Sequence, residues 1–206
     1  MSSDVPAPKA VGRPRDPDID AAVLAAARRH LAAGGYDAMS VVAVAEEAGT
    51  TRQAVYRRWP TKADLATAAI ASLSQAGQRP DTDDPYADLV AELTAFLAGV
   101  TRPNGISLIG SMLQESTDPD LLTLYRDRVV SPRRRRLRHI LERAAAQGLL
   151  AADADLDSAV AACTGILYAL HLTGQRVPRS WPVRTAAFVW RGVGGTVVAA
   201  PGGAGR

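Results

Sequence analysis

The sequence predicts an all-α fold, and three observations support this prediction. The chain of 206 residues is rich in alanine, with 47% hydrophobic residues and only 5% aromatic residues. The alternation typical of β-strands is scarce, whereas apolar residues recur at helical spacing. Capping residues, glycines and prolines divide the chain into segments of helical length. This length allows one large domain or two small ones.

Composition excludes several classes of protein. The single cysteine, Cys163, rules out an internal disulfide and fits a reducing compartment. The first residues lack the apolar segment of a signal peptide, and no apolar run has the length needed to span a bilayer. We therefore expect a cytoplasmic protein without a membrane partner. A net charge of +3 alone says little about a nucleic-acid partner.

The N-terminal region predicts an arm followed by a first helix. Residues 1–15 are rich in proline and alanine, which indicates a flexible arm. Asp16-Pro17 provides a helix cap and a proline at the first helical position, and Gly34-Gly35 is expected to end this helix. The arm is either a solubilising tail or a DNA-binding segment that inserts Arg13 and Arg15 into a narrow minor groove.

Three further helices follow in quick succession. Ser40 is expected to cap the second helix, and Thr50 or Thr51 to cap the third. The third helix is expected to end at Trp59-Pro60, because proline disfavours a helical conformation in the residue before it. The segment from Thr61 to Asp64 has the pattern of a capping box and predicts the start of a fourth helix.

The remainder of the chain predicts a second helical domain. Residues 78–85 are polar and contain two prolines and three aspartates, which is typical of a linker. Five helices are expected beyond it, at 86–100, 106–114, 118–147, 156–172 and 181–199. Pro132 should either kink the third of these or restart it with Ser131 as the cap, and a continuous kinked helix is the preferred alternative. The glycines from Gly192 to Gly195 should lie within the last helix and allow close packing.

The spacing of Ala45, Gly49 and Val55 is that of a helix-turn-helix. The small residue lets two helices approach, the glycine forms the turn, and the apolar residue holds the second helix on the first. On a helical wheel, the third predicted helix then turns a polar face outward. Such a face can enter a DNA major groove. The alternative is an ordinary charged surface helix, but the agreement of turn glycine, caps and aromatic stop favours DNA binding.

Residue chemistry assigns different roles to the side chains around this helix. Arginine and glutamine can each make two hydrogen bonds to a base, whereas the phosphate contacts fix register without selecting sequence. We expect base contacts from Thr51, Arg52 and Gln53. We expect phosphate contacts from Ser40, Tyr56, Arg57 and Lys62.

The segment 35–65 resembles the N-terminal domain of the TetR family of bacterial repressors. The matching positions are Gly35-Tyr36, Ser40, Ala45 to Gly49, Tyr56, Trp59, Lys62 and Leu65. Trp59 stands where the family has phenylalanine, Val44 where isoleucine is common, and Thr50-Thr51 where Val-Ser is common. These departures preserve packing and capping. The resemblance is strong over residues 16–75, and beyond them it extends only to length and helical pattern.

The resemblance implies a homodimer that binds a palindromic DNA operator and releases it when a small molecule binds. It also implies an organisation into the arm 1–15, a DNA-binding domain 16–62, a connecting helix 63–80, a ligand-binding and dimerisation domain 81–200, and a tail 201–206. The effector is expected to be apolar or amphipathic. The last two helices are rich in alanine and glycine, and we place the dimer interface there.

Polar residues on apolar helices are the candidates for the ligand pocket. They are Met112, Tyr125, Tyr168 and His171, although each would also be tolerated in an ordinary core. The four arginines from Arg133 to Arg136 are expected to form a solvated face. An anionic ligand or a second DNA contact is the alternative for this run.

Enzyme chemistry has no support in the sequence. His30, His139 and His171 are widely separated and show no metal-ligand spacing, and no phosphate loop or nucleophile motif is present. We therefore expect neither a catalytic site nor a cofactor or metal. The favoured function is a ligand-released dimeric repressor. The alternative is an activator or a partner-controlled regulator without a ligand. An open, mainly apolar cavity in the second domain would favour the ligand-released repressor, whereas a filled core there would favour the alternative.

Overall fold

The computed structural model describes residues 17–75, 79–101 and 118–196, and within these ranges the chain forms helices and no strand. The helices are α1 (Pro17–Ala38), α2 (Val41–Glu47), α3 (Arg52–Arg58), α4 (Lys62–Gln75), α5 (Pro85–Val100), α6 (Pro119–Tyr125), α7 (Ser131–Ala146), α8 (Leu156–Leu172) and α9 (Trp181–Gly192). The predicted all-α fold is confirmed. The predicted arm, the helix at 106–114 and the C-terminal tail lie outside the described residues.

The predicted helix boundaries in the first bundle are confirmed by hydrogen bonds. The helical stretch of α1 is interrupted at Gly35, whose φ of 77° is a left-handed conformation, before a last turn that reaches Ala38. Ser40 and Thr51 cap α2 and α3, since their side-chain oxygens accept bonds from the N–H groups of Ala43 and Ala54. None of the helices in the described ranges is both long and apolar enough to cross a membrane.

The capping box before α4 closes in both directions. The Asp64 N–H donates to Thr61 Oγ1 over 3.0 Å, and the Thr61 N–H donates to Asp64 Oδ2 over 3.1 Å. Two of the unpaired donors at the helix start are satisfied in this way. The start of α4 at Lys62 is thereby fixed three residues after Trp59, the aromatic residue that ends α3.

The described residues form two hydrophobic cores. The first contains buried side chains of α1 to α4 together with Leu121, Tyr125 and Val129 from α6 and the turn that follows it. The second is built by α5, α7, α8 and α9. α6 and the turn after it therefore lie in the second half of the sequence but pack against the first bundle.

A π-helical turn, Arg126–Val130, joins α6 to α7. The N–H of Ser131 donates to the carbonyl of Arg126, five residues earlier. The preferred expectation of one continuous kinked helix at 118–147 is therefore wrong, and the alternative of a restart agrees with the structure, in which α7 begins at Ser131 after a wide turn. The physical reason is Pro132, which has no N–H and whose ring would clash with a carbonyl of the preceding turn in a regular α-helix.

The last helix is shorter than predicted. It ends at Gly192 rather than near 199, and the expectation that the glycines up to Gly195 lie within it is wrong. Gly194 has a φ of 80°, and the Gly195 N–H donates to the carbonyl of Trp190 over 2.9 Å. A left-handed glycine with such a bond is a helix terminator, because it satisfies carbonyls that the helix leaves open.

Replacing Gly194 with alanine should destabilise the protein by about 1–3 kcal/mol. A Cβ at this position would have to adopt the left-handed conformation and would lie 2.7 Å from the Cβ of Ala151. Gly192→Ala is the matched control, because nothing in the described part of the chain lies within 4 Å of its added Cβ. Urea unfolding should show a lower free energy of unfolding for Gly194→Ala and no decrease for Gly192→Ala. Equal unfolding midpoints for the two variants would contradict the prediction.

Candidate functional site

A helix-turn-helix is formed by α2 and α3. Gly49 makes the turn with a φ of 66°, and the Thr50 N–H donates to the carbonyl of Ala45 over 2.9 Å. Val55 is buried and packs α3 into the first core. The three positions that predicted the motif therefore perform the roles expected of them.

The outward face of α3 presents polar groups to solvent. Arg52, Gln53 and Arg57 are exposed, and Thr51 is exposed at the start of the helix. Tyr56 is half-buried, and the guanidinium carbon of Arg52 lies 5.2 Å from the centre of its ring. The structure thus brings together five of the residues for which we predicted DNA contacts. Their donors and acceptors match those that DNA offers in its major groove and along its backbone.

Arg58 holds this face in position from behind. Its side chain is largely buried and forms an ion pair with Asp20 of α1. One of its guanidinium nitrogens also donates to the carbonyl of Ala54 over 3.2 Å. The pair ties α3 to the first helix, which fixes the direction of the exposed face.

Ser40 and Lys62 both have partners within the protein. Ser40 is exposed and caps α2. The ammonium of Lys62 donates to the carbonyl of Asp37 over 2.9 Å and lies 4.7 Å from the ring centre of Tyr36. An ammonium has three donors, so this bond leaves capacity for a phosphate. Sequence reasoning missed the contact because it joins residues 25 apart. Arg13 and Arg15 lie outside the described residues.

A cavity of about 320 Å³ lies below the first bundle. It is lined mainly by apolar side chains from α4, α5, α6, α7 and α8 and from the π-helical turn. Among them are two of the predicted pocket residues, Tyr125 and Tyr168. His171 is exposed on α8 and does not belong to this lining. Met112 lies outside the described residues.

Arg133 contradicts the expectation that the arginine run is a solvated face. Its side chain is only 14% exposed, lines the cavity, and lies with its guanidinium carbon 4.7 Å from the ring centre of Phe96. Glu92 accepts a hydrogen bond from it over 3.2 Å. Arg136 pairs with Asp81, while Arg134 and Arg135 are exposed. Sequence periodicity could not show this, because the direction of Arg133 depends on where α7 starts.

Burial governs the electrostatics of the cavity. It raises the pKa of Tyr125 above its ordinary value, with a further rise from Tyr168, and it raises the pKa of Tyr168 in the same direction. Burial also lowers the pKa of Arg133, although Glu92 opposes this shift. The tyrosines therefore remain neutral phenols at neutral pH.

The cavity wall is bonded directly to the first bundle. Arg128 in the π-helical turn forms an ion pair with Asp64 over 2.6 Å and donates to Thr67 over 3.2 Å. Tyr36 donates to Asp118 over 2.5 Å, just before α6. Burial raises the pKa of Asp64, but hydrogen bonds from Thr61 and Arg128 outweigh it and lower this pKa below its ordinary value. The same carboxylate thus serves the cap of α4 and the attachment of the cavity wall.

Comparisons with known proteins agree with this arrangement. Residues 23–69 match the family described as bacterial regulatory proteins, tetR family, and residues 79–189 match the tetracyclin repressor-like C-terminal domain. An uncharacterized HTH-type transcriptional regulator of Bacillus subtilis, YdeS, is 31% identical over 90% of this chain and 94% of its own. An uncharacterized HTH-type regulator of Mycobacterium tuberculosis is 30% identical over 70% of this chain and 74% of its own.

Solved structures show the same fold. The TetR family transcription regulator SCO0332 superposes with a TM-score of 0.67 at 27% identity, over 85% of this chain and 98% of its own. A TetR regulator from Agrobacterium tumefaciens gives a TM-score of 0.63 at 20% identity, over 88% and 96% of the two chains. The prediction of a DNA-binding transcriptional regulator rather than an enzyme is confirmed. With both of its domains matched, this chain belongs to the TetR family.

Proposed function

We propose that the chain acts in the cytoplasm as a homodimeric repressor, which binds a palindromic operator through α3 and releases it when a small molecule occupies the cavity. One observation carries the proposal. Tyr125 and Val129 line the cavity and are at the same time part of the hydrophobic core on which α3 rests. A ligand that moves these side chains therefore acts on the packing of the DNA-binding bundle.

The open cavity favours this proposal over a regulator without a ligand. A filled core would have left no space for an effector, whereas a volume of about 320 Å³ with mainly apolar walls is typical of a small-molecule site. A dimer must present its two reading helices roughly 34 Å apart, so a small change in their spacing weakens the fit to DNA. The ligand can shift this equilibrium only by its different affinity for the two states.

The surface of the last two helices supports a dimer. Leu172 on α8 is 85% exposed, and Phe188 on α9 is 64% exposed. Ala161, Gly165 and Ala169 form an exposed row of small residues along α8. Exposed apolar groups beside a row of small residues allow helices to pack closely across a two-fold axis.

The test is selection of bound DNA from a random pool, followed by measurement of affinity at two salt concentrations. A palindromic site bound by two chains is expected, with affinity that falls as salt rises. The selected site then allows candidate effectors to be screened by DNA release. A pool without enrichment at either salt concentration would overturn the proposed reading role of α3.

Single variants should separate base contacts from phosphate contacts. Arg52→Ala is expected to relax the preference at one base position of each half-site, at a cost of about 1–3 kcal/mol, because it removes donors aimed at a base. Tyr56→Phe is expected to weaken binding to all sequences alike, because it removes one phosphate contact. Affinities for the selected site and for single-base variants check both expectations. Equal losses on every sequence for both variants would contradict the assignment.

A further inference from the structure

Two tyrosine hydroxyls line the cavity without a hydrogen-bond partner. Tyr125 is the last residue of α6 and is only 5% exposed, whereas Tyr168 lies on α8 and is half-buried. Both line the cavity, and neither hydroxyl makes a hydrogen bond within the part of the chain that the structure describes. Because a buried phenol group ordinarily has a polar partner, these two hydroxyls are available to a molecule in the cavity.

The two hydroxyls can act on the same ligand atom. A negative charge on Tyr168 raises the pKa of Tyr125, so the two groups are close enough to interact electrostatically. Burial raises the pKa of both groups and keeps them protonated at neutral pH. Each phenol therefore offers one O–H donor. A carbonyl oxygen is the matching acceptor, because its two lone pairs can receive two donors at once.

The charges of the described lining favour a neutral ligand. Arg133, the largely buried cation of this lining, is already paired with Glu92 over 3.2 Å. Arg126 and Arg134 line the cavity as well, but they are exposed and keep contact with water. A charged head group beside the tyrosines would lose its water and gain only neutral partners. A neutral polar group avoids most of that cost.

The rest of the lining fits a compact apolar body. The ring of Phe96 packs edge-on to that of Tyr168, with centres 6.2 Å apart. Aliphatic side chains from three other helices complete the walls, among them Ile70 of α4, Leu122 of α6 and Leu137 of α7. The volume of about 320 Å³ lies at the low end of small-molecule sites, which indicates a small ligand.

We infer that the cavity binds a compact neutral ketone, whose carbonyl oxygen accepts hydrogen bonds from both Tyr125 and Tyr168 and whose apolar body lies against Phe96. Tyr125 belongs to the first hydrophobic core, and Tyr168 packs against the second. The carbonyl would therefore connect the DNA-binding bundle to the rest of the molecule. The inference rests on the proposed function, in which the cavity is the effector site, and adds the chemical class of the effector.

The test compares three probes that share two phenyl rings and differ in the group between them: benzophenone, diphenylmethane and the anion diphenylacetate. The full chain is titrated calorimetrically into each probe, without DNA and below the solubility limit of the probe. Benzophenone is expected to bind more tightly than diphenylacetate. Tighter binding of the anion, or no binding of benzophenone, would overturn the inference.

Variants isolate the contribution of the hydroxyls. The measured quantity is the ratio of the affinities for benzophenone and diphenylmethane, so differences in the hydrophobicity of the probes cancel between proteins. Replacing both tyrosines, as Tyr125→Phe with Tyr168→Phe, keeps the rings and should lower this ratio at least about tenfold, because two hydrogen bonds are lost. Each single variant should lower it in part. An unchanged ratio, or an effect confined to one tyrosine, would overturn the shared carbonyl.

Tyr86→Phe is the matched control. Tyr86 packs against Trp190 in the second core and does not belong to the described lining of the cavity. Removal of its hydroxyl should therefore leave the ratio of affinities unchanged. A fall equal to that of the double variant would show that the effect does not come from the cavity and would overturn the inference.

The failure of this inference can be distinguished from that of the proposed function. Binding of the probes is measured without DNA, and release is measured separately on the selected operator. If benzophenone binds with the expected preference but releases no DNA, the ketone site stands and release by occupation of the cavity fails. If a charged molecule or a hydrocarbon releases DNA and benzophenone does not bind, the ligand class fails and the repressor function stands.

Discussion

A Gly165→Arg variant is expected to be monomeric and to bind its operator at least about a hundredfold more weakly than the parent chain. Gly165 lies in the exposed row of small residues on α8, near the centre of the proposed dimer surface. Within one chain the change is harmless, because nothing in the described ranges lies within 4 Å of a Cβ at this position. Across a two-fold axis, however, an arginine would meet its own copy and hold the helices apart.

The expected loss of DNA affinity follows from the loss of linkage between two half-sites. In a dimer, binding of the first reading helix holds the second near its half-site at high effective concentration. Light scattering and operator titration measure both effects. Ala145→Arg, a change of a small exposed residue on α7, is the matched control and should remain dimeric. A Gly165→Arg protein that is still dimeric would show that the interface lies elsewhere.

Leu121→Ala is expected to destabilise the DNA-binding bundle by about 2–5 kcal/mol. Leu121 is 0% exposed and lies in the first hydrophobic core, although its helix α6 follows the bundle by more than forty residues of sequence. The variant would remove buried contacts and leave a cavity between α6 and α4. Urea unfolding measures this loss of stability. Operator affinity should also fall under conditions in which the bundle is partly unfolded.

Leu122→Ala is the matched control for this prediction. Leu122 is the next residue, has the same side chain and is 36% exposed. Its truncation removes less buried area and should cost less than about 1 kcal/mol. A comparable loss for the two variants would mean that α6 does not form part of the first core. The expected difference would show instead that the DNA-binding bundle α1 to α4, if it were produced without α6, would lack part of its hydrophobic core.

The first bundle could be predicted from sequence because its signals are local. Ser40, Thr51 and the box from Thr61 to Asp64 act within three residues of their own positions, and Gly49 turns the chain where it stands. Spacing alone also separated the exposed residues of α3 from buried Val55. Capping and helical periodicity are therefore sufficient for this part of the molecule.

The cavity could be predicted only in part, because its character depends on contacts between distant segments. Tyr125 and Tyr168 stood out as polar groups on apolar helices, but the burial of Arg133 depends on Phe96 and Glu92, about forty residues earlier. The contact of Lys62 with Asp37 was missed for the same reason. Neither of these pairings leaves a periodic signal in the sequence.

The π-helical turn at Arg126–Val130 also bears on how the family can vary in length. In a π-helical turn each N–H bonds to the carbonyl five residues earlier, so the turn contains one residue more than a regular α-helical turn. It therefore resembles the insertion of one residue into a helix, with the helices on either side still directing the same side chains toward their cores. In a relative one residue shorter, without a proline at position 132, a regular helix would still present α6 to the first core and α7 to the second. Sequence alignments should therefore place single-residue gaps within 126–130. At this point evolution can redirect the side chains of the cavity wall, with Val129 the one core residue of the turn that has to repack.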